Sequence, residues 1–346
     1  MIRSLFNIPL ALIQAPMAGV QDAKLAASVC EAGGLGSLPC AMLSEQQLIA
    51  QLTQLTQITN KPYNLNFFCH AQSDYTPIQT QQWHCLLAPY FAEYGVDERA
   101  LSSEASRQPI TQKIVDVIAP FKPPVVSFHF GLPANNIVQQ IKSWGGKVIS
   151  TATTLDEAIW LNNNGADAII AQGLEAGGHR GHFLSMDLNL HKTTTELVKE
   201  CVANVNVPII AAGGIADADD VLNMKLLGAS GVQVGSAYLL CNEVTTSALH
   251  RDAILKQGDG STSLTTLFSG RVARGICNRV MNELGSIPEH VPPFPYASIA
   301  ITALRSKAEE RKESGFSPLW CGQKYIPRVN VSAAEVSLVL MSKWSV

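Results

Sequence analysis

"PIIAAGGIADADDVLNMKLLGASGVQVGSAYL" (208–239) is the stretch whose reading decides the fold. An apolar, β-branched run ends in a glycine pair. Asp217 then opens a helical pattern over 217–227, Gly228 stops it, and a second β-rich run, "GVQVGSAYL" (231–239), follows at once. A strand, a capped helix and another strand in so short a span make a βα unit, and the crossover helix forces its two strands to lie parallel.

The same rhythm recurs on the N-terminal side. "LALIQAPMAG" (10–19), "GLGSLPC" (34–40), "YNLNFF" (63–68), "PVVSFHFG" (124–131), "GKVISTA" (146–152) and "ADAIIAQG" (166–173) join 208–214 and 231–239 to make eight strand candidates. Helical patterns at 22–32, 44–58, 134–144 and 154–163 separate them, with Ser44 as an N-cap and Gly33, Gly145 and Gly165 as stops. Eight parallel βα units predict an α/β fold, a (β/α)8 TIM barrel. An open doubly wound sheet is the alternative, but no acidic ribose-type residue follows a Gly-x-Gly-x-x-Gly spacing, and "AGGLGS" (32–37) reads as a helix stop before a strand.

Two segments break the rhythm. Residues 70–108 are polar with aromatic anchors at Trp83, Tyr90, Phe91 and Tyr94, and read as a helical excursion over the barrel mouth. Residues 241–320 carry helical patterns, a proline-rich "IPEHVPPFPY" (287–296) and a charged "LRSKAEERKES" (304–314), and read as a helical cap or substrate domain. The expected organisation is a barrel over 1–240, that cap over 241–320, and a helix within 321–346 returning to the barrel.

Composition narrows the partners. Over 346 residues the chain is 47% hydrophobic and 15% charged, enough to fill a large core, and its net charge of −3 comes without a basic block, which argues against nucleic acid. The eight cysteines are scattered among apolar neighbours with no Cys-x-x-Cys pair, so they read as reduced thiols of a cytoplasmic protein. Pro9, Gln14 and Pro16 interrupt the apolar N-terminus, so neither a signal segment nor a membrane span is expected.

Barrel enzymes place their sites at the carboxyl ends of the strands. Here those exits supply Pro16 and Met17, Asn66, His129, Thr151, the loop from Gln172 to His182, Gly213 and Gly214, and Gln233, Val234, Gly235 and Ser236. No carboxylate pair and no cluster of His, Asp and Glu suits hydrolysis or a metal, so no metal is expected and the chemistry falls to a cofactor. Glycines at the last two exits offer backbone N–H groups to a phosphate, and a following helix offers its positive end. Asn66, Gln172 and Gln233 can each donate and accept, as a flavin's pyrimidine edge requires, although each taken singly is also an ordinary polar residue.

Together "IQAPMAGV" (13–20), "NLNFFCH" (64–70), "AQGLEAGGHRG" (171–181), "PIIAAGGIADADDV" (208–221), "GASGVQVGSAYL" (228–239), "SGRVARGICNR" (269–279) and "FSPLWCGQ" (316–323) resemble the nitronate monooxygenases, once called 2-nitropropane dioxygenases, and their class I branch in particular. The resemblance implies a TIM barrel holding non-covalent FMN, and oxidation of alkyl nitronates by O2 to a carbonyl compound and nitrite. It implies Asn66, Gln172, Gly177, Gly214 and Gln233 through Ser236 as FMN contacts and His179 as the active-site histidine. Pro16, Met17, Gly178 and Gly213 lie on the same exits and complete the expected cofactor surface. The sequence departs from the family at Ser236, where the phosphate motif ends in threonine, and in the cap, which offers Tyr296 and then mostly apolar residues.

The glycines at 177, 178 and 181 are expected to let the loop lie against the flavin, leaving His179 to face substrate as a base or a hydrogen-bond donor. Tyr296 and His129 are the expected substrate contacts, with packing roles as the alternative for both and for His70. His182 is expected to pack in the loop or face solvent, and Arg180 to pair with Glu175 or Asp187. The expected partners are a small nitronate and O2, with a homodimer left open. The alternatives are a flavin-dependent enoyl-ACP reductase or NAD(P)H:quinone reductase on the same barrel, or a non-catalytic FMN-binding protein.

Overall fold

Eight strands form where the sequence places them. They are β1 (Leu12–Gln14), β2 (Gly36–Pro39), β3 (Tyr63–Phe68), β4 (Val125–His129), β5 (Lys147–Ala152), β6 (Ala168–Gln172), β8 (Ile209–Ala212) and β9 (Gly231–Val234). Three more, β7 (Gly178–His179), β10 (Thr262–Thr265) and β11 (Ala273–Ile276), lie outside the barrel. The computed structural model describes residues 1–101, 107–256 and 261–344; residues 102–106 of the excursion, 257–260 of the cap and the last two of the chain lie outside the described residues.

The eight strands pair in parallel in the order β1-β9-β8-β6-β5-β4-β3-β2. The ring closes where Leu35 N donates to Leu12 O at 2.8 Å and Gln14 N donates to Leu35 O at 3.0 Å. The fold is a (β/α)8 TIM barrel. Its strands are buried on both faces, as a parallel sheet covered by helices requires, and for that reason they read as continuous apolar runs. Helices start where side chains cap them: Ser44 and Asp217 each accept from a first-turn N–H and close capping boxes with Gln47 and Asp220. Helix Ala333–Met341 buries Ala333, Val336 and Leu340 in the barrel's core. Among the described residues no helix is long and apolar enough to cross a membrane, and the eight cysteines form no disulfide.

The cap differs from its expectation. Besides helices Ala248–Lys256, Arg279–Leu284 and Ala297–Glu310, it contains an antiparallel hairpin of β10 and β11. Ala273 and Arg274 of that hairpin pair in turn with His179 and Gly178. "ARGI" carries almost no β-propensity of its own, so its strand state comes from this pairing, which a local pattern does not reveal. Helix Pro77–Tyr94 buries the four expected aromatic anchors, and it buries them against Leu267, Val280, Ile301, Leu304 and Phe316 of the cap. Excursion and cap therefore share one apolar core. A boundary between residues 320 and 321 has no structural counterpart: Gly275 bridges to Trp320, and Gly322 N donates to Ser236 Oγ at 2.8 Å, so one continuous segment crosses the barrel mouth.

Glu157 ties the barrel wall to the loop beyond His179. Its Oε2 accepts from Thr153 N at 2.7 Å and Thr153 Oγ1 at 2.8 Å, and its Oε1 from Phe183 N at 2.5 Å and Leu184 N at 3.2 Å. All four contacts are donors, so the amide of Glu157→Gln must turn its own N–H groups toward two of them. We expect that substitution to cost about 2–4 kcal/mol in denaturant unfolding. An unchanged unfolding midpoint would show that the four contacts do not hold the loop.

Candidate active site

The loop from β6 to β7 is held from its inner side. Gln172 Nε2 donates to His179 O at 3.0 Å, and Gln172 Oε1 accepts from Gly181 N at 2.8 Å, so one amide satisfies backbone on both sides of the turn. His129 Nε2 also meets His179 O, at 3.1 Å. A carbonyl only accepts, so this nitrogen carries the proton, and His129 Nδ1 accepts from Thr151 Oγ1 at 3.2 Å.

Arg180 does not form the expected ion pair with Glu175 or Asp187. It is fully buried beneath the loop, where its guanidinium donates to Gly173 O at 2.5 Å and Gln172 O at 2.9 Å. Glu175 is itself occupied, Oε2 accepting from Thr194 N at 2.9 Å and Thr194 Oγ1 at 2.8 Å. His182 is buried rather than exposed, with its ring 5.2 Å from that of His191.

The glycines need a correction as well. A Cβ on Gly177 would stand 2.5 Å from Gly322 N, and one on Gly181 would stand 2.8 Å from His129 Cε1, so both positions make room for protein. At Gly178, with φ +73°, a Cβ would meet no atom within 4 Å, and this position faces open space.

Pro16, Met17, Asn66, His129, Gln172, Gly177, Gly178, His179, Gly213, Gly214 and Gln233 through Ser236 line a single cavity at the carboxyl ends of the strands. Tyr296 is not brought to it. Its ring stacks on Tyr75 at 4.6 Å, and Phe294 takes the place beside His179, with centroids 5.7 Å apart. The cavity's polar groups divide into satisfied and unsatisfied ones. Asn66 Nδ2 donates to Ser127 Oγ at 3.0 Å. Gln233 Oε1, by contrast, is buried without a partner among the described residues, and so is Nε2 of His250 on the cap side.

The same cavity is lined by Gly213 and Gly214, with φ of +113° and +67°, and by Ser236. The helix that follows β8 cannot offer its positive end, because Asp217 caps it and Asp219 and Asp220 fill its first turn. Lys324 stands there instead, its Nζ 2.6 Å from Asp220 Oδ1. Sequence reading missed Lys324, Arg107, Arg305, His250 and Trp320 as lining residues. Trp320 and Lys324 flank the end of the "FSPLWCGQ" motif, which was the available signal; Arg107 and Arg305 lie in stretches with no motif.

His179 Nε2 meets Ser269 Oγ at 2.8 Å, and the rings of Trp320, Phe294 and Phe68 surround the imidazole. Burial first, and then the charge of Arg107 with His129, Arg271 and His182, pushes His179 well below the ordinary 6.5. Burial likewise takes His70, His129, His191 and His250 to about 4 and His182 to about 3. No group of three His, Cys, Asp or Glu among the described residues is arranged to hold a metal ion.

These imidazoles make the fold sensitive to acid. Below about pH 6.5 the unfolded chain takes up protons that the folded chain refuses, so their contribution is complete above that value and falls as the pH drops toward about 4. Urea midpoints at about pH 7 and pH 5 should therefore differ, with the lower pH less stable. Equal midpoints would mean that the histidines titrate normally in the folded protein.

The nitronate monooxygenase family matches residues 1–342. The chain is similar to a nitronate monooxygenase of Paraburkholderia phytofirmans, with 37% identity over 96% of this chain and 91% of that protein. It is similar to a probable nitronate monooxygenase of Staphylococcus aureus, with 37% identity over 93% and 90% of the two chains. Its structure resembles that of a nitroalkane oxidase from Streptomyces ansochromogenes, with a TM-score of 0.89 and 29% identity over 99% of this chain and 97% of that one. FabK from Thermotoga maritima, with a TM-score of 0.71 and 24% identity over 99% and 95%, shares the fold. With the family's motifs converging on one glycine-lined cavity and a match over nearly its whole length, this chain belongs to the nitronate monooxygenase family.

Proposed function

We propose that the chain holds FMN non-covalently and oxidises alkyl nitronates with O2, yielding a carbonyl compound and nitrite. The observation that carries this reading is the buried Oε1 of Gln233, an acceptor in the cavity wall with no partner among the described residues. Such an atom calls for a ligand N–H, and a flavin's pyrimidine edge presents one. The rest of the wall fits the same group. Asn66 and Gln233 would hold the pyrimidine edge, and the backbone at Gly213, Gly214, Gly235 and Ser236, with Lys324, would hold the phosphate. When bound, FMN supplies the electron acceptor that no side chain of the cavity provides.

His179 then acts on the nitronate as a donor. Ser269 Oγ accepts from Arg271 N at 3.3 Å, and its own proton has the choice of Arg271 O at 3.3 Å or His179 Nε2 at 2.8 Å. The 2.8 Å contact alone fits either tautomer; in the donor reading Ser269 donates to Nε2, and Nδ1, which has no partner among the described residues, carries the proton and donates to a nitronate oxygen. An imidazole held well below 6.5 is a weak base, which favours this role over abstracting a proton from a neutral nitroalkane. The rings of Phe68, Phe294 and Trp320 pack around the same imidazole.

The direct test is the purified protein: a yellow solution that releases FMN on denaturation and forms nitrite from propyl-1-nitronate in air. Rapid anaerobic bleaching by NAD(P)H with no nitrite from any nitronate would replace this reading with a reductase. Gln233→Leu should weaken FMN binding by at least about tenfold, read by flavin fluorescence, with the fold intact. Unchanged affinity would remove Gln233 from the cofactor surface.

His179 separates donor from base by paired variants. His179→Leu should lose turnover of preformed nitronate by on the order of 10²-fold, while His179→Asn, which still donates a hydrogen bond, should retain clearly more. Equal and complete losses would point to proton transfer instead.

A further inference from the structure

Three cationic side chains, Arg107, Arg305 and Lys324, line the cavity. Lys324 is held by Asp220 at 2.6 Å and Asp217 at 3.5 Å. Arg305 Nε sits 2.7 Å from Glu309 Oε1, which also accepts from Ser317 Oγ at 2.6 Å. Among the described residues the other lining carboxylate, Glu175, is committed to Thr194. Arg107 alone of the three makes no hydrogen bond or ion pair among the described residues, although it is partly buried, with burial and the like charge of Arg305 both weighing against its cation. A desolvated guanidinium with no counter-charge is costly, and an anionic ligand relieves it.

Position says which anion. Lys324 and the glycines at the exits of β8 and β9 would serve the phosphate, while Arg107 lies near the end of the excursion, and among the charges acting on His179 its effect is the largest. A nitronate carries one negative charge over two coplanar oxygens on a single atom, the geometry that lets a carboxylate take two parallel N–H bonds from an arginine. We propose that Arg107 is the substrate anchor: its guanidinium takes the two nitronate oxygens while His179 donates to the same group. This rests on the nitronate reading given above. It makes Arg107 a specificity residue that favours the anion over the neutral nitroalkane, and it gives the excursion between β3 and β4 a part in the site. The same fork should accept small carboxylates, which cannot react.

The test uses the FMN-loaded protein with propyl-1-nitronate for kinetics and butyrate for calorimetric binding. Arg107→Met should raise KM at least about tenfold with a smaller change in kcat, abolish the butyrate heat, and leave the melting temperature unchanged. Arg107→Lys, which keeps the charge without the fork, should fall between the two; it carries the test if the methionine variant does not fold, with a wild-type KM then counting against the anchor. Wild-type KM and butyrate affinity in Arg107→Met would overturn the proposal while leaving nitronate oxidation standing. A wild-type protein that binds butyrate through Arg107 yet forms no nitrite would instead overturn the nitronate activity and leave Arg107 as a carboxylate anchor.

Discussion

The amide of Gln172 is the constraint around which the site is arranged. A loop of several glycines has little side-chain packing to fix its path, yet it must present His179 at one orientation. Gln172 meets both requirements from the end of β6, donating to His179 O and accepting from Gly181 N. His129 adds a second donor to the same carbonyl from the end of β4, so two barrel strands determine where the histidine's backbone lies. Arg180 fills the space beneath and caps the carbonyls of Gln172 and Gly173. An amide expected to face a ligand is thus used up in building the wall, while Gln233 in the cavity keeps a buried acceptor with no partner among the described residues.

Because the loop is fixed to the barrel on one side, it can carry the cap on the other. Gly178 and His179 pair with Ala273 and Arg274, and the hairpin they join brings Ser269 to His179 Nε2. His179 therefore sits on a seam, with its carbonyl set by the barrel and its ring set by the cap. Changes in the cap reach the imidazole through Ser269, Phe294 and Trp320 without disturbing the glycines at the exits of β8 and β9.

The barrel was legible because its signals are local. A parallel strand buried on both faces must be a short apolar run, and each crossover helix needs a cap and a stop, so Ser44, Asp217 and the glycines that follow the helices mark the units directly. The lining of the cavity was legible for a related reason, since strand exits are known once strands are known. What was hidden depends on contacts between distant segments. Arg180 reads as a surface cation until the carbonyls of its own loop enclose it, and "ARGI" reads as no strand until His179 pairs with it. Tyr296 looked like a site residue because it follows a proline-rich turn, but the turn inserts Phe294 and stacks Tyr296 on Tyr75. Nothing beside Arg107 or in the charged run around Arg305 marks either as a lining residue, and both reach one cavity from an excursion and a cap that share a core.

That shared core also explains how a chain with a net charge of −3 presents a cationic cavity. The barrel mouth contributes histidines that burial keeps neutral, while its nearby carboxylates are spent on backbone: Glu157 on the loop at Phe183 and Leu184, Glu175 on Thr194. The layer above adds arginines, and among the described residues only one of the two that reach the cavity receives a carboxylate. Neutral imidazoles cannot balance a substrate's negative charge, and a buried carboxylate would repel it. A cation for it would therefore come from outside the barrel, and the excursion after β3 brings one, Arg107, that has no partner among the described residues. On this arrangement the barrel can keep one cofactor surface while the layer above it sets which anions enter.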